Sequence, residues 1–212
     1  MTNNKMSNIR RLNLHLCQPG CWAENELPII AHNEIVPPTR LLSFKECKKS
    51  KDFEAGVHFY IDDKDFEQVW TYPERYVDLL SKFSCVVLPD FSVYYDAANP
   101  INQWNLYRSR TLGMYWQKNG LNVVPTIPFA GFEFNCYATI GLPQKSVVAV
   151  STVGSVRNYN KRLAFQSGID VIWSRLHPQI ILVYGNLADF SFYDMKVYNY
   201  EQFKVSTSKR NF

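Results

Sequence analysis

The chain predicts an α/β protein: a mostly parallel sheet of about five or six strands with crossover helices, open or incompletely closed in a barrel-like way. Three observations predict it. Short apolar runs alternate with helical stretches over roughly 30 residues per unit, the length of a strand with its crossover. The runs ending at Leu88 and Val150 lack polar alternation, which marks strands covered on both faces. Acidic, hydroxyl or glycine residues then follow each run, where a buried strand should surface at its carboxyl end. About five or six units are too few for a regular eight-unit barrel, and in either arrangement a ligand belongs at the strand ends.

Taken in order, residues 1–40 read as an irregular wrapping segment, because Pro19, Gly20, Pro28, Pro37 and Pro38 exclude a long helix. Residues 40–44 (RLLSF) open the βα region, 41–187, as a short strand, and the basic run 45–51 reads as a solvated loop or helix face. Residues 57–61 (VHFYI) form the next strand and end at Asp62 and Asp63, with Asp65 placed to cap a short helix carrying Phe66, Val69 and Trp70. Pro73 suits the first turn of a second helix with Val77 and Leu80 on one face. The strand at Val86 precedes the longest helix, 101–119, which Pro100 introduces and Gly120 closes. Residues 121–125 are a strand, 128–143 a long aromatic loop, and 147–150 another strand. In the helix 161–176, Phe165, Ile169, Ile172 and Leu176 recur at helical spacing, and 180–183 is the last strand. The tail 188–212 carries no predicted element, and its end, from Lys204, is expected to fray.

With 46% hydrophobic and 20% charged residues, the 212-residue chain can bury a substantial core and reads as one globular domain. The net charge of +4 permits a polyanionic partner but is spread along the chain. No apolar run approaches the roughly 20 residues that cross a bilayer, and the first residues lack a signal peptide's apolar region, so a cytoplasmic location and no membrane partner are expected. Five cysteines, an odd number at irregular spacing, suit reduced thiols. His15, Cys17 and Cys21 raise the question of zinc, but a structural site wants four ligands and only Cys47 or His32 could complete the set, so a packed segment is expected instead.

Candidate site residues follow from the strand ends. Asp90, with Asp62 from the neighbouring strand, is the candidate catalytic pair, able to hold Mg²⁺ or act as general base; Ser92 and Asp96 are candidate ligand-binding neighbours. Asp90 and Asp96 could equally cap the turns before the next helix. The run STVGS, with Ser151, Thr152 and Gly154, suits an anion at the start of a helix, although a plain strand-to-helix turn explains it as well. It lacks the spaced glycine and lysine of a Walker loop. Thr126, Tyr184 and Gly185 complete the strand-end set. Arg108 and Arg110 could clamp phosphate, but positions two apart on a helix point about 200° apart, so at most one faces a given site, and a salt-bridged arginine is the plainer reading. Phe129, Phe132, Phe134 and Tyr137 could cover a pocket or pack over the sheet end. The four histidines lie outside the strand ends, which disfavours a serine–histidine–aspartate triad.

The segments PDFS (89–92), NQWNLYRSRTLGMYWQKNG (102–120), VVPTIPF (123–129), VAVSTVGS (148–155) and ILVYGN (181–186) together resemble the family of domain of unknown function 4417, seen mostly in phages, prophages and plasmids of Gram-positive bacteria. The likeness covers about residues 57 to 187 and implies a mobile-element protein of the bacterial cytoplasm; it supplies no activity or catalytic residues. Two functions of different class are expected to compete. One is binding, with or without hydrolysis, of a nucleotide or nucleic acid phosphate at the strand ends, with Mg²⁺ as candidate cofactor. The other is non-catalytic engagement of a host or anti-phage defence protein through an aromatic surface.

Overall fold

Among the described residues, β-strands pair only in parallel, the consequence of joining strands by crossovers instead of hairpins, and the one antiparallel pairing is the isolated bridge of Trp22 to Pro28. The computed structural model describes residues 12–17, 20–155 and 157–201. Strands β1 (Leu41–Ser43), β2 (Gly56–His58), β3 (Cys85–Val87) and β4 (Val123–Val124) form one parallel sheet in chain order. A second parallel sheet holds β5 (Val147–Ser151), β6 (Ile180–Tyr184) and β7 (Lys196–Tyr200), again in chain order. One parallel bridge, Thr126 to Ala149, joins them: the Ala149 N–H donates to Pro125 O at 2.9 Å and the Ile127 N–H to Ala149 O at 3.1 Å. Among the described residues no strand pairing links β7 to β1, so the sheets do not close into a barrel; the Tyr200 hydroxyl reaches only the carbonyl of Pro38, just before β1, at 2.8 Å. The seven strands among the described residues exceed the expected five or six, because β7 lies in the tail where no element was predicted.

Alternate residues of each strand enter two separate cores, as the period of two dictates. Val86, Leu88, Val148, Val150, Ile181 and Val183 face the helices. There they meet Leu112 and Trp116 of α4 (Asn99–Lys118) and Ile169 and Ile172 of α6 (Tyr159–Leu176), all fully or almost fully buried. Cys85, Val87, Val124, Val147, Ala149, Leu182 and Tyr184 face the other way and cover one another. Both faces are therefore dry, which accounts for the unbroken apolar runs.

Local sequence sets the helix ends. Ser43 and Glu46 make a capping box for α1 (Phe44–Cys47). Pro73 opens a 3₁₀ turn, Pro73–Tyr76, leading into α3 (Val77–Leu80); α2 (Gln68–Thr71) precedes it. Pro100 sits in the first turn of α4, and Gly120, at φ +81°, follows its end. The Asn158 side chain accepts from the Lys161 N–H at 3.0 Å and caps α6. Asp65 caps nothing: the chain there forms a 3₁₀ turn, Asp63–Asp65, and the Asp65 carboxylate pairs with Lys45 at 2.6 Å. The aromatic loop contains a helix, α5 (Phe132–Thr139).

The proline-rich segment wraps the opposite end of the sheet from the strand tips. Asn33 donates to Val123 O at 2.9 Å, Ala31 exchanges bonds with the Gln117 amide, and the Ile30 N–H donates to Gly141 O. That leaves the carboxyl ends of the strands uncovered by it. None of the five cysteines is in a disulfide; Cys17 lies 3.6 Å from the Tyr107 hydroxyl and His15 pairs with Glu74 at 3.4 Å. No helix among the described residues is long and apolar enough to cross a membrane. The residues expected to fray at the carboxyl end, and the first residues read for a signal peptide, lie outside the described residues.

Candidate functional site at the strand ends

A cleft of about 1590 Å³ opens at the carboxyl ends of β2 to β5 and the start of α6. Because all strands point one way, their terminal polar residues meet there: Asp62, Asp90, Ser92, Asp96, Ser151 and Gly154 line one space. Asp90 lines the cleft and is partly buried. Its carboxyl has no hydrogen-bond or ion-pair partner among the described residues. Neither it nor Asp96 caps the following helix, whose N-cap is Ala98 with no side-chain bond. Burial, and secondly the nearby charge of Asp63, push the Asp90 carboxyl up to about 7.

Asp63 is itself committed to structure. Its carboxylate accepts from the Ser92 hydroxyl at 2.9 Å and from the Ser92 N–H at 3.1 Å, clamping the end of β2 to the end of β3. Ser92 thus lines the cleft with its hydroxyl already donated. Replacing Asp63 by Asn keeps an acceptor for Ser92 but removes the charge. The Asp90 midpoint should then fall below about 7 yet stay above an ordinary carboxyl, because burial is the larger cause. An NMR pH titration checks this, and an unchanged midpoint would remove Asp63 from the account.

Tyr60, two residues past β2, is a site residue that strand-end reasoning missed. Its ring stacks on Tyr184 at 5.3 Å, its hydroxyl is 2.9 Å from Thr126 Oγ1, and its edge lines the cleft. Burial and the charge of Asp90 raise its phenol well above the ordinary value, so it stays protonated. The period-two pattern of residues 57–61 carried the signal: Tyr60 shares a face with buried His58, opposite Val57 and Phe59. His58 itself accepts from the Tyr60 N–H on Nδ1 at 3.1 Å, and burial lowers it to about 4, so it stays neutral.

Other expected residues lie elsewhere. Thr126 and Thr152 are buried beneath the cleft, and Thr152 packs so closely on Gly185 that a β-carbon at Gly185, held at φ +114°, would collide with Oγ1. Tyr184 is buried against His58 at 4.2 Å. Arg108 does not face the cleft: Nη1 donates to both Glu67 carboxylate oxygens at 2.8 and 2.9 Å, Nη2 donates to Asn105 at 2.7 Å, and the guanidinium covers the Phe91 ring at 3.8 Å. Arg110 is fully buried and donates to Ala138 O, and burial lowers it to about 9. Phe134 is buried, whereas Phe129 and Phe132 line the cleft.

The STVGS turn spends much of its own donor capacity. The Val153 N–H donates to Ser151 Oγ at 3.2 Å and the Ser155 N–H to Thr152 O at 2.9 Å. The first turn of α6, with Asn158, Asn160 and Lys161, lines the cleft beside it. The cleft's charges are therefore unevenly divided: Asp62, Asp65, Asp90 and Asp96 come from the β2 and β3 ends, where Lys45 is paired with Asp65, and Lys161 comes from the first turn of α6. Among the described residues no group of three or more His, Cys, Asp or Glu could hold a metal ion unaided.

The comparisons agree with a phage origin for the relatives. The chain is 32% identical over 166 residues to the Gene 1 protein of Mycobacterium phage L5, covering 76% of this chain and 72% of that protein. It is 31% identical over 180 residues to the Gene 1 protein of Mycobacterium phage D29, covering 83% of this chain and 66% of that one. No solved structure matches. The profile of the family described as Domain of unknown function (DUF4417) matches residues 21–203, and the chain belongs to that family.

Proposed function

We propose that the protein binds a nucleotide or nucleic acid phosphate, carried in with Mg²⁺, at the carboxyl ends of its strands, and that Asp90 serves as metal ligand or general base in its hydrolysis. The observation that carries this reading is the Asp90 carboxyl: unpartnered among the described residues, lining the cleft, and raised to about 7, where a proton acceptor works best near neutral pH. The division of charge supports it. Mg²⁺ is held by one or two carboxylates plus substrate phosphates, so an ion facing the acidic wall leaves the phosphates towards Lys161 and the start of α6. The finer shape belongs to the same proposal: ring contact between His58 of β2 and Tyr184 of β6, at 4.2 Å, fits a sheet rolled into an incomplete barrel with the site at its mouth. Relatives in two mycobacteriophages support a place in a phage or other mobile element, working in the bacterial cytoplasm.

Thermal melting with ATP, with and without Mg²⁺, tests the reading. Stabilisation should grow with ligand concentration, reaching about 2.7 kcal/mol at a hundredfold excess over Kd, and should need the metal. No shift with ATP, GTP or short oligonucleotides would refute it.

A further inference from the structure

Three aromatic rings stand free at the mouth of the cleft. Tyr94, Tyr95 and Phe132 are 54%, 78% and 67% exposed, all line it, and none stacks on another ring among the described residues. They are not on slack chain. Buried Asn102 takes the Tyr94 N–H at 3.0 Å and donates to Tyr94 O at 2.8 Å, fixing the loop backbone, and Phe132 begins α5. Val153 and Leu163 add exposed apolar surface on the α6 side. Charged residues and exposed aromatic rings thus share one cleft, whose most buried lining is Phe91, Ile127 and Phe165, and its volume of about 1590 Å³ exceeds the roughly 300–1,000 Å³ of a small-molecule pocket.

We infer that the ligand of this cleft is single-stranded nucleic acid, its phosphates towards Lys161 and the start of α6 and its unpaired bases stacked on Tyr94, Tyr95 and Phe132. The inference rests on the phosphate reading and narrows it. Aromatic platforms above a phosphate-binding track accept any base, but only one freed from its partner, because a paired base hides its faces in the duplex stack. A basic peptide fits the carboxylates but would also meet Lys161 and the start of α6.

The test uses the full chain and a fluorescein-labelled single-stranded DNA of about 12 nucleotides, the same sequence as duplex, and an arginine-rich peptide, in Mg²⁺ buffer at fixed ionic strength. The single strand should bind at least about tenfold more tightly than the duplex, and Tyr95→Ala with Phe132→Ala should weaken it by about tenfold. Tyr95→Leu with Phe132→Leu keeps apolar area without π faces and should lose most of the same affinity; unchanged melting temperatures confirm that both variants fold. Equal binding of duplex and single strand, or wild-type affinity in both variants, overturns the inference. Peptide binding lost in the variants, without oligonucleotide binding, reassigns the rim to a protein partner. If ATP with Mg²⁺ stabilises the wild type but oligonucleotides bind no tighter than ATP, the single-strand inference fails and the phosphate reading stands; if nothing binds, both fail.

Discussion

Asp90→Asn is expected to lower turnover by about 10²- to 10⁴-fold, the range for loss of a positioned general base, while making the protein more stable above pH 7. Both effects come from one carboxyl. In the folded protein it is raised to about 7 from an ordinary value of 3.8, so the folded state holds its proton longer than the unfolded chain does. Its contribution is therefore most favourable below about pH 4 and is lost as the pH rises towards 7. Asparagine escapes that loss. At pH 8 the variant should gain about 1–3 kcal/mol, a figure kept below the full shift because the residue is partly solvent-exposed. The gain should vanish near pH 4. Melting curves across pH, beside a turnover assay on the ligand identified by thermal shift, check both halves. A variant that loses stability at pH 8 would mean that the charge is welcome there, and the general-base role would lose its basis.

Trp116→Ala should cost about 3–5 kcal/mol, the largest stability effect expected of any single change discussed, and lower the melting temperature by about 2–4 °C for each of them. Trp116 lies near the end of α4, is 0% exposed, and stacks on Phe59 at 5.8 Å, three residues before the Asp62 that lines the cleft. Phe59 in turn stacks on Phe44 of α1 at 5.0 Å and meets Phe66 edge-on at 5.5 Å. Deleting the indole opens a cavity where α1, α4 and the β2 end meet, which the surrounding rings can fill only in part. Trp116→Phe should cost far less, since it keeps a ring and removes an indole N–H that has no partner in the core. Equal losses for the two substitutions in chemical denaturation would contradict this packing.

Much of this architecture was legible because burial on both faces leaves long apolar runs. The strands at Val86, Val147 and Ile180 and the helices after Pro100 and before His177 read directly from such runs and their end signals. What escaped had weaker local signals. β7, KVYNY, is largely half-exposed and alternates aromatic with polar residues. α5 begins after Gly131 with no side-chain cap and mixes aromatics on all sides, so periodicity did not separate it from loop. The site was legible as a location: parallel strands must bring their carboxyl ends together, and six of the expected residues do share the cleft. Partners across the fold were not legible. That Glu67 would claim Arg108, Ser92 would claim Asp63 and Lys45 would claim Asp65 depends on tertiary contacts between distant segments, which a strand-end rule does not contain.

The side-chain ¹³C resonance of Asp90, followed through a pH titration with and without Mg²⁺ and ATP, tests most directly whether its unpartnered carboxyl takes part in binding. The free protein should titrate near 7, and the midpoint should fall when the ligand is present, because a bound cation favours the ionised form. A midpoint near 3.8, unmoved by Mg²⁺ and ATP, would contradict it.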